Sequence, residues 1–492
     1  MNAVNFSYDL LARGLLPEIT LIVGALLVLA YDVIRGRNHT LAERQAIALW
    51  IGGIALAAAF YHVVTIGAIG RVYGDSLLID RLAVAARAGV LVLGMITLGI
   101  ASGAKRQRHP AEYVAIILFA VTGFTLMSAA QHLLIAFTAL ELASLSLYVL
   151  AGFDKTSRAS AEAALKYFLM GSMATAFLLF GFSLIYGVTG EMNLDRIAFV
   201  LAHGGVTPLL GLALVMVLVA FGFKAAAAPF HLWAPDAYQG APTPSAALIA
   251  SASKLAGFTL FLRLLWPGLG ALSGDVSTAG NTGGWLTLLC LISGASLLLG
   301  NLAALAQTNI RRLLAYSAIA HTGALLLGVV AAEVAGASPL LFYLMTYGIA
   351  TAGAFGVIAV LEVNGGCQKI TDLAGLSKRS PLLAGCLLVF ILSLAGIPPL
   401  AGFFGKFTVF AAALKVGGMS GPAGWLTMLA IALSAVALYY YLIVLKQALV
   451  QPAAPENSAK IKVPVGAAIT LLLAAGLIVV LGICPSLLLG LF

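Results

Sequence analysis

Six charged residues fall inside long apolar stretches of this 492-residue chain: Arg87, Glu141, Lys166, Lys224, Lys254 and Lys406. A charge held at the centre of a bilayer costs about 2.5–3.5 kcal/mol or more, so such residues are functional candidates by default. Burial lowers the pKa of a lysine and raises that of a glutamate, and a nearby opposite charge works against both shifts. A buried lysine whose partner can approach or withdraw therefore loads and releases a proton near neutral pH. That is the requirement of a proton relay. Static buried ion pairs are the alternative chemistry for the same residue types.

Glu141 is the deep acid of the set. It is the tenth residue of its apolar run, about 14 Å in by helical rise. Lys254 lies near the middle of another run, Lys224 precedes a proline-rich interruption, and Lys406 follows a second one. Glu162 and Lys166, spaced i,i+4, share one helical face near the end of a run. There Lys166 can pair structurally, snorkel to the interface or join a relay. Arg87 has no evident partner and reads as structural. His231, at the first interruption, and His321, inside a run, are relay or gating candidates, with a hydrogen-bonded core histidine as the plain alternative. Tyr316, Ser317 and Thr322 are suited to holding internal water or to serving as helix glue.

The elements that position these residues are membrane helices. The chain is 62% hydrophobic and only 9% charged, against about 25% charged in a soluble domain. The apolar runs are apolar all round and near the roughly 20 residues that cross a bilayer core. They predict an all-α integral membrane protein with about fourteen spans, at 15–34, 46–66, 80–101, 113–130, 132–152, 162–187, 207–239, 242–266, 285–306, 312–333, 338–362, 381–414, 425–447 and 463–490. The first span is expected to be retained, since it lacks the basic flank and cleavage site of a signal peptide.

Lysine and arginine counts set the orientation. Sixteen lie in the loops of one side, including Lys105, Arg106, Arg108, Lys155, Arg158, Arg311 and Arg312, and six on the other. The expectation is that the richer side is cytoplasmic and that both termini are periplasmic. The net charge of +9 is thus spent on loops, with no basic patch interleaved with aromatics, which argues against a nucleic-acid partner. Cys290, Cys367, Cys386 and Cys484 show no metal-ligand spacing, and no glycine-rich loop suggests a nucleotide site.

Two spans, 207–239 and 381–414, are too long for one straight crossing, since such a helix would run about 50 Å. Both hold breakers: Pro229 and Pro235 in the first, Gly396, Pro398, Pro399, Gly402 and Gly405 in the second. Freed backbone groups at membrane depth must face protein or water, and paired interrupted helices in two halves point to transport sites. Here they are the fourth members of two five-helix sets, spans 4–8 and 9–13, expected as inverted repeats. The expected divisions are a three-helix region 1–112, a first repeat 113–266, a second repeat 285–447 and a C-terminal helix 448–492.

Three long motifs carry a family resemblance. The segment FGFKAAAAPFHLWAPDAYQGAPTPSAALIASASKL, Phe221–Leu255, resembles the core signature of the antiporter-like membrane subunits of respiratory complex I. QTNIRRLLAYSAIAHTG, Gln307–Gly323, and LAGIPPLAGFFGKF, Leu394–Phe407, are similar to two further hallmarks. The lysine in GFFGKF looks like the N-type subunits of bacterial NADH:quinone oxidoreductase, since M-type subunits usually carry glutamate there. The lateral helix of L-type subunits has no counterpart in this sequence. Related sodium/proton antiporter and membrane-bound hydrogenase subunits are the alternative.

The resemblance implies a proton-translocating subunit of a complex in the bacterial inner membrane, among other membrane subunits. Glu141 matches the fifth-helix glutamate of the family, and Lys224 the seventh-helix lysine that pairs with it. Lys254 matches the central eighth-helix lysine, and Lys406 the twelfth-helix terminal site. It implies no cofactor in this chain, with NAD, FMN, iron–sulfur clusters and quinone in other subunits. A free-standing cation/proton antiporter and a structural spacer are the competing functions, and a spacer has no need of four buried titratable groups.

Overall fold

The computed structural model describes residues 8–205, 207–275, 283–416, 418–452 and 459–490. In chain order it has α1 (Tyr8–Arg35), α2 (Leu41–Ile66), a short hairpin β1 (Gly70–Val72) and β2 (Leu77–Ile79), α3 (Arg81–Ala101), α4 (Pro110–Ala129) and α5 (Leu133–Ala151). Then follow α6 (Arg158–Thr189), α7 (Leu194–Gly204), α8 (Pro208–Ala225), α9 (Trp233–Gly240), α10 (Thr243–Ala250) and α11 (Ala252–Arg263). The second half holds α12 (Trp285–Leu305), α13 (Ile310–Val330), α14 (Ala332–Ala335), α15 (Ser338–Val363), α16 (Leu376–Arg379), α17 (Pro381–Ala395), α18 (Ala401–Leu414), α19 (Pro422–Leu449), α20 (Val465–Ile483) and α21 (Ser486–Leu489).

Among the described residues, 13 helical stretches are long and apolar enough to cross a membrane. The fourteenth crossing is α17 with α18, each too short alone. The expected spans match these helices within a few residues at most ends. At the first and last they do not. α1 begins at Tyr8, ahead of its apolar run, because a polar first turn is as helical as an apolar one. The run at 463–490 ends as a membrane helix at Ile483, and Cys484-Pro485 separates off α21.

The loops rich in lysine and arginine gather at one end of the bundle. Lys105 pairs with Asp154 at 2.8 Å, the Ile310 N–H donates to Gln368 O at 3.0 Å, and the Gly375 N–H donates to Gln451 O at 2.8 Å. At the opposite end Arg71 pairs with Asp195 at 2.6 Å, and β2 bridges Ala130. Since α4 starts at the basic end and α12 at the opposite end, the set α4–α11 and the set α12–α19 run inverted, as expected.

The core sits between the sets. α13, α15 and α10–α11 are buried on all faces, whereas α1, α2, α6, α19 and α20 each leave an apolar face exposed. Small residues inside the bundle let helices approach closely where lipid replaces water. α12 and α13 approach closely through Gly300 and Gly323. A Cβ on Gly323 would stand 2.8 Å from the backbone of α12 at Leu297 and Ser293, so no larger residue fits there without moving a helix.

Candidate functional site

Both long spans are interrupted where their prolines stand. α8 ends at Lys224-Ala225, Ala226 takes a left-handed conformation, and α9 resumes at Trp233. The groups this break exposes are satisfied by side chains. Trp233 Nε1 donates to Phe223 O at 2.9 Å. Two partners come from the other repeat: Ser296 Oγ of α12 accepts from the Ala228 N–H at 2.9 Å, and Thr322 Oγ1 of α13 donates to Ala225 O at 2.7 Å. The second break is closed from within its own span. Gly396 is left-handed (φ 85°), Ser393 Oγ accepts from the Gly402 N–H at 3.1 Å, and Lys406 Nζ donates to Ala395 O at 3.0 Å.

The breaks place the candidate bases. Lys224, 6% exposed, donates to Ser144 Oγ at 3.1 Å. Ser144 lies one turn after Glu141 on α5. Glu141 is half-buried and accepts from Thr175 Oγ1 at 2.9 Å. The stem of Lys224 lies against Gly257 of α11, where a Cβ would stand 3.3 Å from its Cγ. One turn before Gly257 on the same helix is Lys254.

Lys254, 2% exposed, donates to Ala318 O at 2.5 Å and to Thr322 Oγ1 at 2.7 Å, with its ammonium 5.2 Å from the centre of the Tyr347 ring. Among the described residues none of Lys224, Lys254 and Lys406 forms a salt bridge; their partners are hydroxyls and carbonyls.

His321 stands one turn beyond Ala318, between Lys254 and Lys406. Its Nδ1 meets Tyr343 Oη at 2.6 Å and its Nε2 meets Tyr441 Oη at 3.3 Å, and Tyr441 is in turn hydrogen-bonded to Ser317. His321, Tyr343, Lys406, Asn301, Ser434 and Tyr440 line a cavity of about 20 Å³, room for one water molecule. The structure thus brings Glu141, Lys224, Lys254, His321 and Lys406 into one line through both repeats.

The other candidates lie off that line. His231 is buried in the first break beside the Pro229 backbone; its Nδ1 has no hydrogen-bond partner among the described residues. Lys166 pairs with Glu162 at 2.6 Å as its spacing suggests, and also with Asp236 of α9 at 2.7 Å. Asp236 holds Arg312 of α13 on its other oxygen at 2.6 Å. With its side chain 44% exposed, Lys166 sits in an ion-pair cluster at the basic end.

Two expectations about buried charge are corrected. Arg87 has a partner, Glu18, at 2.8 Å with both side chains under 5% exposed, and it also donates to Gly14 O and Thr125 O. Glu141 is therefore not the only deep acid. Glu18 is the eleventh residue of α1, about 15 Å from its start; counted from the apolar run it looked like a rim residue. Sequence reasoning also missed Asp236 and the tyrosines around His321. The tyrosines' signal was the four-residue spacing of Tyr343 and Tyr347 on one face of α15.

The chain as a whole is similar to known proteins. A family model described as NADH:quinone oxidoreductase/Mrp antiporter, TM, matches residues 130–445. The chain is 48% identical to NADH-quinone oxidoreductase subunit N 2 of Acidobacterium capsulatum, over 99% of each chain. It is similar to a chain of respiratory complex I from Thermus thermophilus with bound aureothin: TM-score 0.79, 33% identity, 96% of this chain and 98% of that one. It also has the fold of a chain of the Mrp complex from Dietzia sp., with TM-score 0.82 at 22% identity over 99% of this chain and 96% of the other.

Proposed function

Because the chain belongs to the family of NADH:quinone oxidoreductase and Mrp antiporter membrane subunits, we propose that it is the N-type subunit of a bacterial NADH:quinone oxidoreductase and carries protons through its bundle. The observation that supports this reading is the line Glu141, Lys224, Lys254, His321 and Lys406, in which three lysines rest on neutral partners. A lysine without a counter-charge is free to give up its proton when a charge beside it moves. Glu141 and Lys224 form the pair that senses such a movement, Lys254 is the midpoint, His321 bridges, and Lys406 is the terminal site. His231 gates the first break. Lys166 serves structure, held between two carboxylates.

No redox step runs in this chain. NAD, FMN, iron–sulfur clusters and quinone belong to other subunits, and their energy reaches this one through its membrane neighbours. The protein lies in the bacterial inner membrane with its basic end cytoplasmic and both termini periplasmic. Affinity purification in mild detergent tests the assignment. The tagged chain brings down a peripheral arm that oxidises NADH; recovery with antiporter subunits alone would make it part of a cation/proton antiporter instead.

Orientation is tested separately. In a Cys484→Ser background, Arg106→Cys stays unlabelled by an impermeant thiol reagent added to whole cells, and Arg196→Cys is labelled. Both positions are exposed in the structure, so labelling of Arg106→Cys from outside reverses the topology.

A further inference from the structure

At the basic end a pocket of about 260 Å³ opens between the loops after α3 and α5, the start of α10 and the end of α15. Lys105 and Asp154 stand in its wall, and their hydrogen bond holds the Asp154 carboxyl below the usual carboxylate range. Glu362, in the last turn of α15, lines the pocket with its side chain 24% exposed. Its Oε2 accepts from Thr243 Oγ1 at 2.5 Å. Its Oε1 lies 3.5 Å from an Arg311 nitrogen that also donates to Ala241 O and Thr243 Oγ1. The carboxylate is therefore fixed at the boundary between the pocket and the core.

From Glu362 one stripe of α15 leads inward, to Phe355 two turns away and then to Thr351 and Tyr347 at four-residue steps, spacings that keep side chains on one face. Tyr238 of α9 packs its ring on Phe355, with centroids 6.0 Å apart. Tyr347 stands beside Thr351 and, at the far end, under the Lys254 ammonium. The hydroxyls of Tyr238, Thr351 and Tyr347 are all buried; Tyr238 meets no hydrogen-bond partner among the described residues, and Thr351 and Tyr347 have only each other within reach. Buried hydroxyls are costly to leave unpaired, and such groups are normally served by internal water. Three of them in succession, between an aqueous pocket and a buried lysine, mark a path that water can wet.

The geometry points to this stripe as the uptake route from the basic end to Lys254, with Glu362 as the group that takes each proton from pocket water. The inference rests on the relay reading above and adds its source. Hydronium in the pocket gives a proton to the Glu362 carboxylate. The proton passes by hydroxyl and water to the free amine of Lys254, which becomes ammonium, and Glu362 returns to its anion; no other bond changes.

The test is Glu362→Gln in the assembled complex, read as NADH-driven proton uptake into inverted vesicles and normalised to complex content. Uptake falls by about a hundredfold, the lower end of what a positioned proton-transfer group contributes, and Glu362→Asp restores most of it. Normal uptake in Glu362→Gln overturns the route. So does a loss that Glu362→Asp fails to restore, since Glu362 would then only anchor Arg311. If Glu362→Gln does not assemble, Thr351→Val leaves the ion pair intact and breaks the stripe; normal uptake in that variant overturns the route equally. Lys224→Ala in the same vesicles separates the two readings. If it pumps normally, the relay itself is wrong. If it fails while Glu362→Gln pumps, only the uptake route is wrong.

Discussion

Lys406→Arg assembles normally and pumps poorly. Lys406 Nζ donates to Ala395 O, the carbonyl left free at the end of α17, and its side chain borders the small cavity shared with His321. Were Lys406 only satisfying that carbonyl, arginine would serve as well or better, because it brings more donors. A site that must release its proton in each cycle has the opposite response, since guanidinium effectively never deprotonates. Uptake into inverted vesicles falls by about a hundredfold. The defect deepens as the membrane is energised, because each charge moved against the potential costs about 2.3 kcal/mol per 100 mV. A normal rate against a full gradient would take Lys406 out of the relay and leave Glu141, Lys224 and Lys254.

Lys224→Ala and Glu141→Ala each lower coupled NADH-to-quinone turnover by about tenfold or more in complexes that still assemble. The structure holds the pair apart: Lys224 rests on Ser144 and Glu141 on Thr175. Ser144 and Glu141 are one turn apart on one face of α5, so the ammonium and the carboxylate are neighbours. Removing either partner leaves the other without the charge that tunes it. Glu141→Asp keeps the charge on a shorter stem and is milder. Wild-type turnover and pumping in an assembled Lys224→Ala complex would end the paired-site idea.

The spans, the two breaks and the four principal buried charged candidates were legible in the sequence because each rests on a local signal. Apolar runs count out helices, prolines and glycines mark breaks, and a lone charge in an apolar run announces itself. What escaped depends on neighbours far apart in the chain. Glu18 finds Arg87 across 69 positions, and Asp236 joins Lys166 to Arg312 from three separate helices. His321 was visible as a histidine, but its tyrosine partners come from α15 and α19. Glu362 closes an apolar run, where an acid looks like the start of a loop. The pocket that gives it significance is built from five distant segments.

The first break is held by Ser296 and Thr322, which belong to the other repeat, whereas the second is closed by Ser393 and Lys406 of its own span. A five-helix unit like the first, released alone into a bilayer, would leave the Ala228 amide and the Ala225 carbonyl unanswered in hydrocarbon, and Lys254 without its seat. It is an incomplete solute. Only an oppositely inserted companion supplies the missing groups.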